Sequence, residues 1–259
     1  MLAELMAGAA EDAAARREAR PLPAIEAAAL AAAPPLDAAA ALARDETRMK
    51  VLAEVKRASP SRGTMADIPD PAALAARYAA GGAAAISVLT EGRRFRGSLA
   101  DLEAVRAAVD VPVLRKDFVS TAYQVLEARA AGADLVLLIV AALTDEALAS
   151  LFRLIGDLGM AALVETHSEA ELDRALGIGA GIIGVNARDL DSFELDRDLF
   201  GRLAARIPAG VVRVAESAVR TTDDVAAYRA AGADVVLVGE ALVTGDPETL
   251  LAAFTKAGS

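Results

Sequence analysis

Along most of the chain, and most regularly from about Ala83 onward, short runs of Val, Ile, Leu and Ala alternate with longer stretches whose apolar residues recur at helical spacing. The runs predict strands near 51–56, 83–88, 111–115, 134–140, 161–165, 180–186, 211–216 and 234–238. Helices are expected near 70–80, 98–108, 121–131, 144–158, 168–176, 196–206, 221–231 and 246–257. Most strand runs are continuously apolar, as parallel strands buried on both faces are. Eight such strands, each followed by a helix, predict an α/β fold, a closed (β/α)8 TIM barrel. A small-residue turn recurs before strands, as Ala80-Gly81-Gly82-Ala83, Ala131-Gly132-Ala133-Asp134 and Ala231-Gly232-Ala233-Asp234. Gly just past the last helical turn is the expected cap. Thr144 with Asp145, and Ser168 before Glu171, mark helix starts.

Residues 1–50 break the pattern. They are Ala-rich, interrupted by Pro21, Pro23, Pro34 and Pro35, and carry no strand signal. Residues 1–18 and 36–46 read as helices, so an N-terminal helical extension is expected within one barrel domain spanning 1–259. The favoured reading is a layer over the barrel's N-terminal end; the alternative brings part of it to the active-site mouth.

Composition narrows the function. At 259 residues the chain can bury a large core without a disulfide or metal. There is no Cys, and the lone His167 cannot form a metal cluster. A formal charge of −10 argues against nucleic acid or an anionic membrane as partner. The longest apolar run, Leu135 to Leu143, is too short to span a bilayer, and the N-terminus does not read as a secretion signal. A cytoplasmic protein is expected.

Barrels of this type place their chemistry at the C-terminal ends of the strands. There the first strand carries Glu54 and Lys56, two residues apart and therefore on one face. The third ends at Arg115-Lys116-Asp117, the fifth at Glu165, the sixth at Asn186 and Arg188, the seventh at Glu216-Ser217. Leu135 to Val140 adds only apolar atoms. One charge at a strand end is usually a solvated rim residue. Charges on four strand ends of eight predict a site, one with two lysines, three glutamates, an asparagine and an apolar wall. Ser217-Ala218 and Gly239-Glu240, on the seventh and eighth strands, stand where such barrels hold phosphate through loop amides. A small phosphorylated molecule is the expected partner.

Several of these segments resemble the indole-3-glycerol-phosphate synthase family. They are Glu54-Val55-Lys56-Arg57-Ala58-Ser59-Pro60-Ser61-Arg62-Gly63, Ile86 to Thr90 with Phe95 and Gly97-Ser98, Val113 to Phe118, Leu163-Val164-Glu165, Ile183 to Leu190, and Ala215-Glu216-Ser217. The resemblance spans nearly the whole chain, each motif at its own strand end. It implies ring closure, decarboxylation and dehydration of 1-(2-carboxyphenylamino)-1-deoxyribulose 5-phosphate to indole-3-glycerol phosphate, a lyase step in tryptophan biosynthesis. No cofactor is implied, and monomer is the default.

The same resemblance implies the roles. Lys116 is the general acid at the sugar ketone and Glu165 its partner in proton transfer. Lys56 binds the substrate carboxylate, and its share of the dehydration relative to Glu165 is open. Glu54 orients Lys56 and Lys116, while Asn186 and Glu216 hold sugar hydroxyls. Arg188 faces the anthranilate carboxylate, and Ser59 adds to substrate binding. Phe95, Phe118, Leu137 and Leu190 sandwich the ring; Ser217, Ala218, Gly239 and Glu240 take the phosphate. Burial is expected to lower the pKa of Lys116. Related chains usually carry Gly at the place of Ala218 and often Ser at that of Glu240. A carboxylate at Glu240 repels a dianion unless it points away while its amide does the binding. Asn186 also suits a turn, Arg188 a surface ion pair, and Phe95 and Phe118 plain core; His167 reads as structural. The runners-up are another sugar-phosphate barrel, such as an aminoaldose–ketose isomerase, and a non-catalytic sugar-phosphate-binding barrel.

Overall fold

The computed structural model describes residues 1–60, 62–189 and 192–257. Eight parallel strands close into a barrel: β1 (Lys50–Val55), β2 (Ala85–Leu89), β3 (Val113–Lys116), β4 (Leu135–Ile139), β5 (Ala161–Thr166), β6 (Ile182–Asn186), β7 (Val212–Glu216) and β8 (Val235–Val238). Each pairs with its sequence neighbours, and β1 closes the ring by pairing with both β2 and β8. A small hairpin, Ala58–Ser59 with Gly63–Thr64, follows β1. Three helices precede the barrel: α1 (Leu2–Ala19), α2 (Leu22–Ala31) and α3 (Ala38–Leu42). Its outer helices are α4 (Pro71–Ala80), α5 (Leu99–Ala108), α6 (Ala122–Ala130), α7 (Asp145–Asp157), α8 (Glu169–Gly177), α9 (Leu199–Ala204), α10 (Thr222–Ala230), α11 (Glu240–Thr244) and α12 (Pro247–Lys256). Among the described residues, no helix is long and apolar enough to cross a membrane.

Strand alternation splits the core in two. Leu52, Leu114, Leu137, Leu163, Val214 and Leu237 fill the barrel, while Val51, Ile86, Val113, Leu138, Val164 and Val236 pack against the helices. The recurring Ala-Gly-Ala-Asp turn has a clear physical role. Gly132 and Gly232 sit at φ 84° and 98°, a left-handed cap that suits Gly. The following Asp134 and Asp234 then accept the backbone N–H groups of Val113 and Arg213 on the neighbouring strand, at 2.7 and 3.0 Å.

All eight expected strands form, with ends shifted by one or two residues. The expected span 134–140 stops at Ile139, where Val140–Ala142 make a 3-10 turn. Two helices were not foreseen. α2 begins at Leu22 with Pro21 as its N-cap and Pro23 in its first turn, where a missing N–H costs nothing, so these prolines start a helix rather than break one. α11 is a single short turn after Gly239.

The N-terminal extension does both jobs that the sequence left open. Ala38 and Leu42 of α3 pack into the barrel interior, and Arg44 binds Asp234 at 3.0 Å at the N-terminal end. At the opposite end, Leu5 of α1 joins the wall of the pocket. The favoured reading, a layer over the N-terminal end alone, is therefore corrected.

Candidate active site

The C-terminal ends of the strands surround a pocket that gathers Glu54, Lys56, Lys116, Glu165, Asn186, Arg188 and Glu216 with Ser59, Phe95, Phe118, Leu137, Ser217, Ala218, Gly239 and Glu240. Of the residues expected in the site only Leu190 is missing, because it lies outside the described residues. Sequence reasoning did not assign Leu5, Ile139, Arg62, Phe193 and Arg220, which also line it. Leu5 gave no signal, being one apolar residue of an Ala-rich helix. Arg62 and Arg220 follow the first and seventh strands closely, and a search for cations in those loops could have found them.

At the centre, the Lys116 ammonium donates to Glu165 Oε2 at 2.7 Å and to Glu216 Oε2 at 2.8 Å. Both carboxylates are almost wholly buried, with 1% and 2% of their side chains exposed. Burial by itself would lower the pKa of Lys116. Glu165, Glu216 and Glu54 outweigh that and raise it above the ordinary lysine value, which corrects the expectation of a lowered pKa. Lys116 is therefore protonated at rest, already in the acid form.

The two carboxylates are pushed apart. Burial favours the neutral form of both. For Glu165 the charges of Lys116 and His167 overcome burial and hold its pKa below the usual carboxylate range. For Glu216 burial, and then repulsion from Glu165, raises it. Asn186 Nδ2 donates to Glu165 Oε1 at 3.2 Å, and the Asn186 carbonyl accepts from Ser217 Oγ at 2.8 Å and Arg188 N at 3.0 Å. Asn186 thus braces the ends of β5, β6 and β7 together.

Lys56 binds Glu54 Oε1 at 2.5 Å. Glu54 orients Lys56 by this contact, whereas Lys116 feels it through its field. Gly239 leaves room for the pair: a Cβ there would lie 2.6 Å from Glu54 Oε1 and 3.2 Å from Lys56 Nζ.

The apolar wall is held from behind. Phe95 and Phe118 meet with ring centroids 5.9 Å apart, and Leu137 and Ile139 line the same pocket. The Glu91 carboxylate accepts the backbone N–H groups of Arg93, Arg94 and Phe95, fixing the loop that presents Phe95. Asp117 accepts from Phe118 N at 2.8 Å and from Arg115 Nη2 at 2.9 Å. Arg115, fully buried, points away from Lys116, as strand alternation requires.

Just past β7, Ser217 and Ala218 hold φ of 70° and 62°, so Ala218 adopts the left-handed backbone that Gly would take without strain. Glu240 lines the pocket, its carboxylate paired with Arg62 and standing 3.5 Å from Arg220. Burial lowers the pKa of Arg188, which donates to Phe193 O at 3.1 Å. His167 Nε2 lies 3.4 Å from Glu165 Oε1.

The model of the family described as indole-3-glycerol phosphate synthase matches residues 2–253. The chain belongs to that family. It is 68% identical over 254 residues to the indole-3-glycerol phosphate synthase of Leifsonia xyli, covering 98% of this chain and 97% of that one. The indole-3-glycerol phosphate synthases of Mycobacteroides abscessus and Rhodococcus jostii are 59% and 57% identical to it, covering all of this chain and 95% and 96% of theirs. Among solved structures, the N-acetylmannosamine-6-phosphate 2-epimerase of Clostridium perfringens is similar in fold alone, with a TM-score of 0.61 at 15% identity over 80% of this chain and 93% of that one.

Proposed function

We infer that the chain carries out the reaction for which its family is named, with Lys116 as the acid and Glu165 as the base. The observation that carries this reading is one ammonium bridging two buried carboxylates beside an apolar slot. The substrate is 1-(2-carboxyphenylamino)-1-deoxyribulose 5-phosphate. Its aromatic ring lies against Phe95, Phe118 and Leu137, and Leu190 is assigned to the same wall. Its carboxylate faces Lys56 and Arg188. Its phosphate meets the loop amides around Ser217, Ala218, Gly239 and Glu240, with Arg62 and Arg220 exchanging Glu240 for the dianion. Ser59 closes the mouth beside Lys56.

Lys116 gives its proton to the ketone oxygen as the ring carbon bonds to the carbonyl carbon. The bond to the carboxylate then breaks, carbon dioxide leaves, and its electron pair restores the aromatic ring. The new hydroxyl departs as water with a second proton, and the carbon beside nitrogen gives up a proton to Glu165. Lys56 stands near enough to the mouth to supply the second proton. Glu54 keeps Lys56 in place, and Asn186 and Glu216 hold the sugar hydroxyls. Held in the slot, ring carbon and carbonyl meet in a reactive geometry, which lowers the barrier as much as the acid does.

The chain is read further as one domain over 1–259, working as a cytoplasmic monomer on a small phosphorylated molecule and not on nucleic acid. The family assignment and the bridged lysine leave the isomerase and the non-catalytic reading without support of their own.

The purified chain should turn this substrate into a product with indole fluorescence, with no tryptophan in the chain to interfere. Lys116→Ala should lower kcat by about 10²–10⁴-fold with the fold intact. Turnover near the unsubstituted rate would remove Lys116 from the role of acid.

A further inference from the structure

Lys116 meets Glu165 and Glu216 at nearly equal distances, 2.7 and 2.8 Å, so the ammonium does not itself distinguish them. Their second oxygens differ sharply. Glu165 Oε1 faces Asn186 Nδ2 at 3.2 Å and the imidazole of His167 at 3.4 Å. Glu216 Oε1 is buried and has no hydrogen-bond donor among the described residues. It points at the bare backbone of Gly184, where a Cβ would stand 2.1 Å away.

His167 is placed to carry charge. Its Nδ1 lies 3.3 Å from Glu171 Oε2, while its Nε2 is buried with no hydrogen bond among the described residues. Glu171 is fixed in the first turn of α8, accepting from His167 N at 2.9 Å and from Ser168 Oγ at 3.0 Å. The imidazole therefore stands between two carboxylates, one at the rim and one in the site.

We propose that His167 is a positioning residue that makes Glu165, rather than Glu216, the ionised partner of Lys116. The imidazolium and the Asn186 amide stabilise negative charge on Glu165, and among the described residues no hydrogen-bond donor does so at the far oxygen of Glu216. The proton that two neighbouring carboxyls must share then rests on Glu216. The groups facing His167 support its charged form. Burial works against it, but Glu171, Glu165 and Glu216 raise its pKa above the ordinary histidine value, and Lys116 stands on the far side of Glu165. The proposal deepens the acid–base assignment and rests on it only in giving ionised Glu165 a task as base.

The test reads ionisation without turnover. In ligand-free protein labelled at the glutamate carboxyl carbons, signals of Glu165 and Glu216 are assigned by their loss in E165Q and E216Q. Glu165 should titrate below the ordinary carboxylate range and Glu216 above it. His167→Gln should move the Glu165 titration upward by about 1–3 pH units, the usual effect of an opposite charge at this range. Glu171→Gln keeps the imidazole in place but weakens its charge, so it should move the titration the same way by less. It also decides the matter if the His167 variant does not fold. In turnover, both variants should lower kcat more than they raise KM and shift the acid limb of the pH profile upward. An unmoved Glu165 titration in Glu171→Gln, or a proton found on Glu165 in the unsubstituted protein, would overturn the proposal. A fully active E165Q would instead strike down the assignment of Glu165 as base and leave the titration result standing.

Discussion

Ala218 holds a backbone conformation that its Cβ disfavours, at φ 62° beside Ser217 at φ 70°. The left-handed region costs an L-residue roughly 1–2 kcal/mol, and Gly gives back about half of that through its freer unfolded chain. Ala218→Gly should therefore raise stability by about 1 kcal/mol or less, and by about 2–4 °C in Tm at most. KM for the phosphorylated substrate should stay level or fall, because the loop shape is already the one Gly would take. Thermal melts and steady-state kinetics read both, and a marked rise in KM would show that the Ala218 methyl itself contributes to the grip. The place of the strand-end charges was legible in the sequence, since alternation alone puts Glu54 with Lys56 and separates Arg115 from Lys116. The protonation of Lys116 was not. Desolvation could be foreseen from a buried strand end, but the opposing field comes from Glu165 and Glu216, on strands far along the chain. Their convergence on one nitrogen exists only in three dimensions. The pairing of Glu240 with Arg62 and Arg220 escaped for the same reason: it joins loops after β1, β7 and β8.

Strand β6 shows how an element makes room for a site. Its inward positions are Ile182, Gly184 and Asn186, and the middle one must be empty for the Glu216 carboxylate to sit against Lys116. Gly184→Ala would place a methyl 2.1 Å from the present position of Glu216 Oε1. The strand backbone is locked between β5 and β7, so the carboxylate has to turn, which should disturb its Oε2 contact with Lys116. The barrel should survive, with kcat down by about 10-fold or more, the scale of a displaced catalytic partner. Circular dichroism and kcat measured side by side check this, and full activity would mean that the Glu216 contact is dispensable. Glycine in the apolar run Ile182 to Val185 did not disturb the strand reading, yet its purpose could not be read without its neighbour across the barrel. The helices divide in the same way. α7 and α8 follow clear apolar spacing and Thr144 and Ser168 caps, and both form where expected. α1 is Ala-rich, with Leu5, Gly8, Ala9 and Ala13 as its buried residues, so no stripe announced which surface it would meet. Its docking is set partly by charge, through the Arg16 guanidinium on the buried Glu127, which in turn faces Arg115 behind Lys116.

The barrel as a whole concentrates charge where an ordinary core would have none. Its N-terminal half is filled by residues such as Leu52, Leu114, Leu135 and Val235, whereas its C-terminal end encloses Glu54, Lys56, Lys116, Glu165 and Glu216. Glu165 and Glu216 both meet Lys116 there and are almost wholly buried, so ionising both sets two negative charges against one ammonium in a poorly hydrated place. Burial, and then repulsion from Glu165, raises the pKa of Glu216 against the pull of Lys116. A carboxyl that holds its proton more tightly when folded makes stability fall as pH rises. The loss accumulates between the ordinary carboxylate range and the raised value, and remains in force above it. Glu165 works in the opposite sense. Its lowered pKa contributes stability above the ordinary carboxylate value, and that contribution is lost as pH falls through its folded value. Glu216→Gln keeps the shape and the acceptor for Lys116 but cannot ionise, so it removes only the alkaline penalty. The variant should match the unsubstituted protein in acid, exceed it by about 2–4 °C in Tm for each kcal/mol gained at alkaline pH, and lose catalysis throughout. Melting curves across the pH range decide it. A Tm difference that does not change with pH, or a variant less stable on the alkaline side, would mean that Glu216 is ionised at no cost and that the protein does not set stability aside at this end of the barrel for the sake of its chemistry.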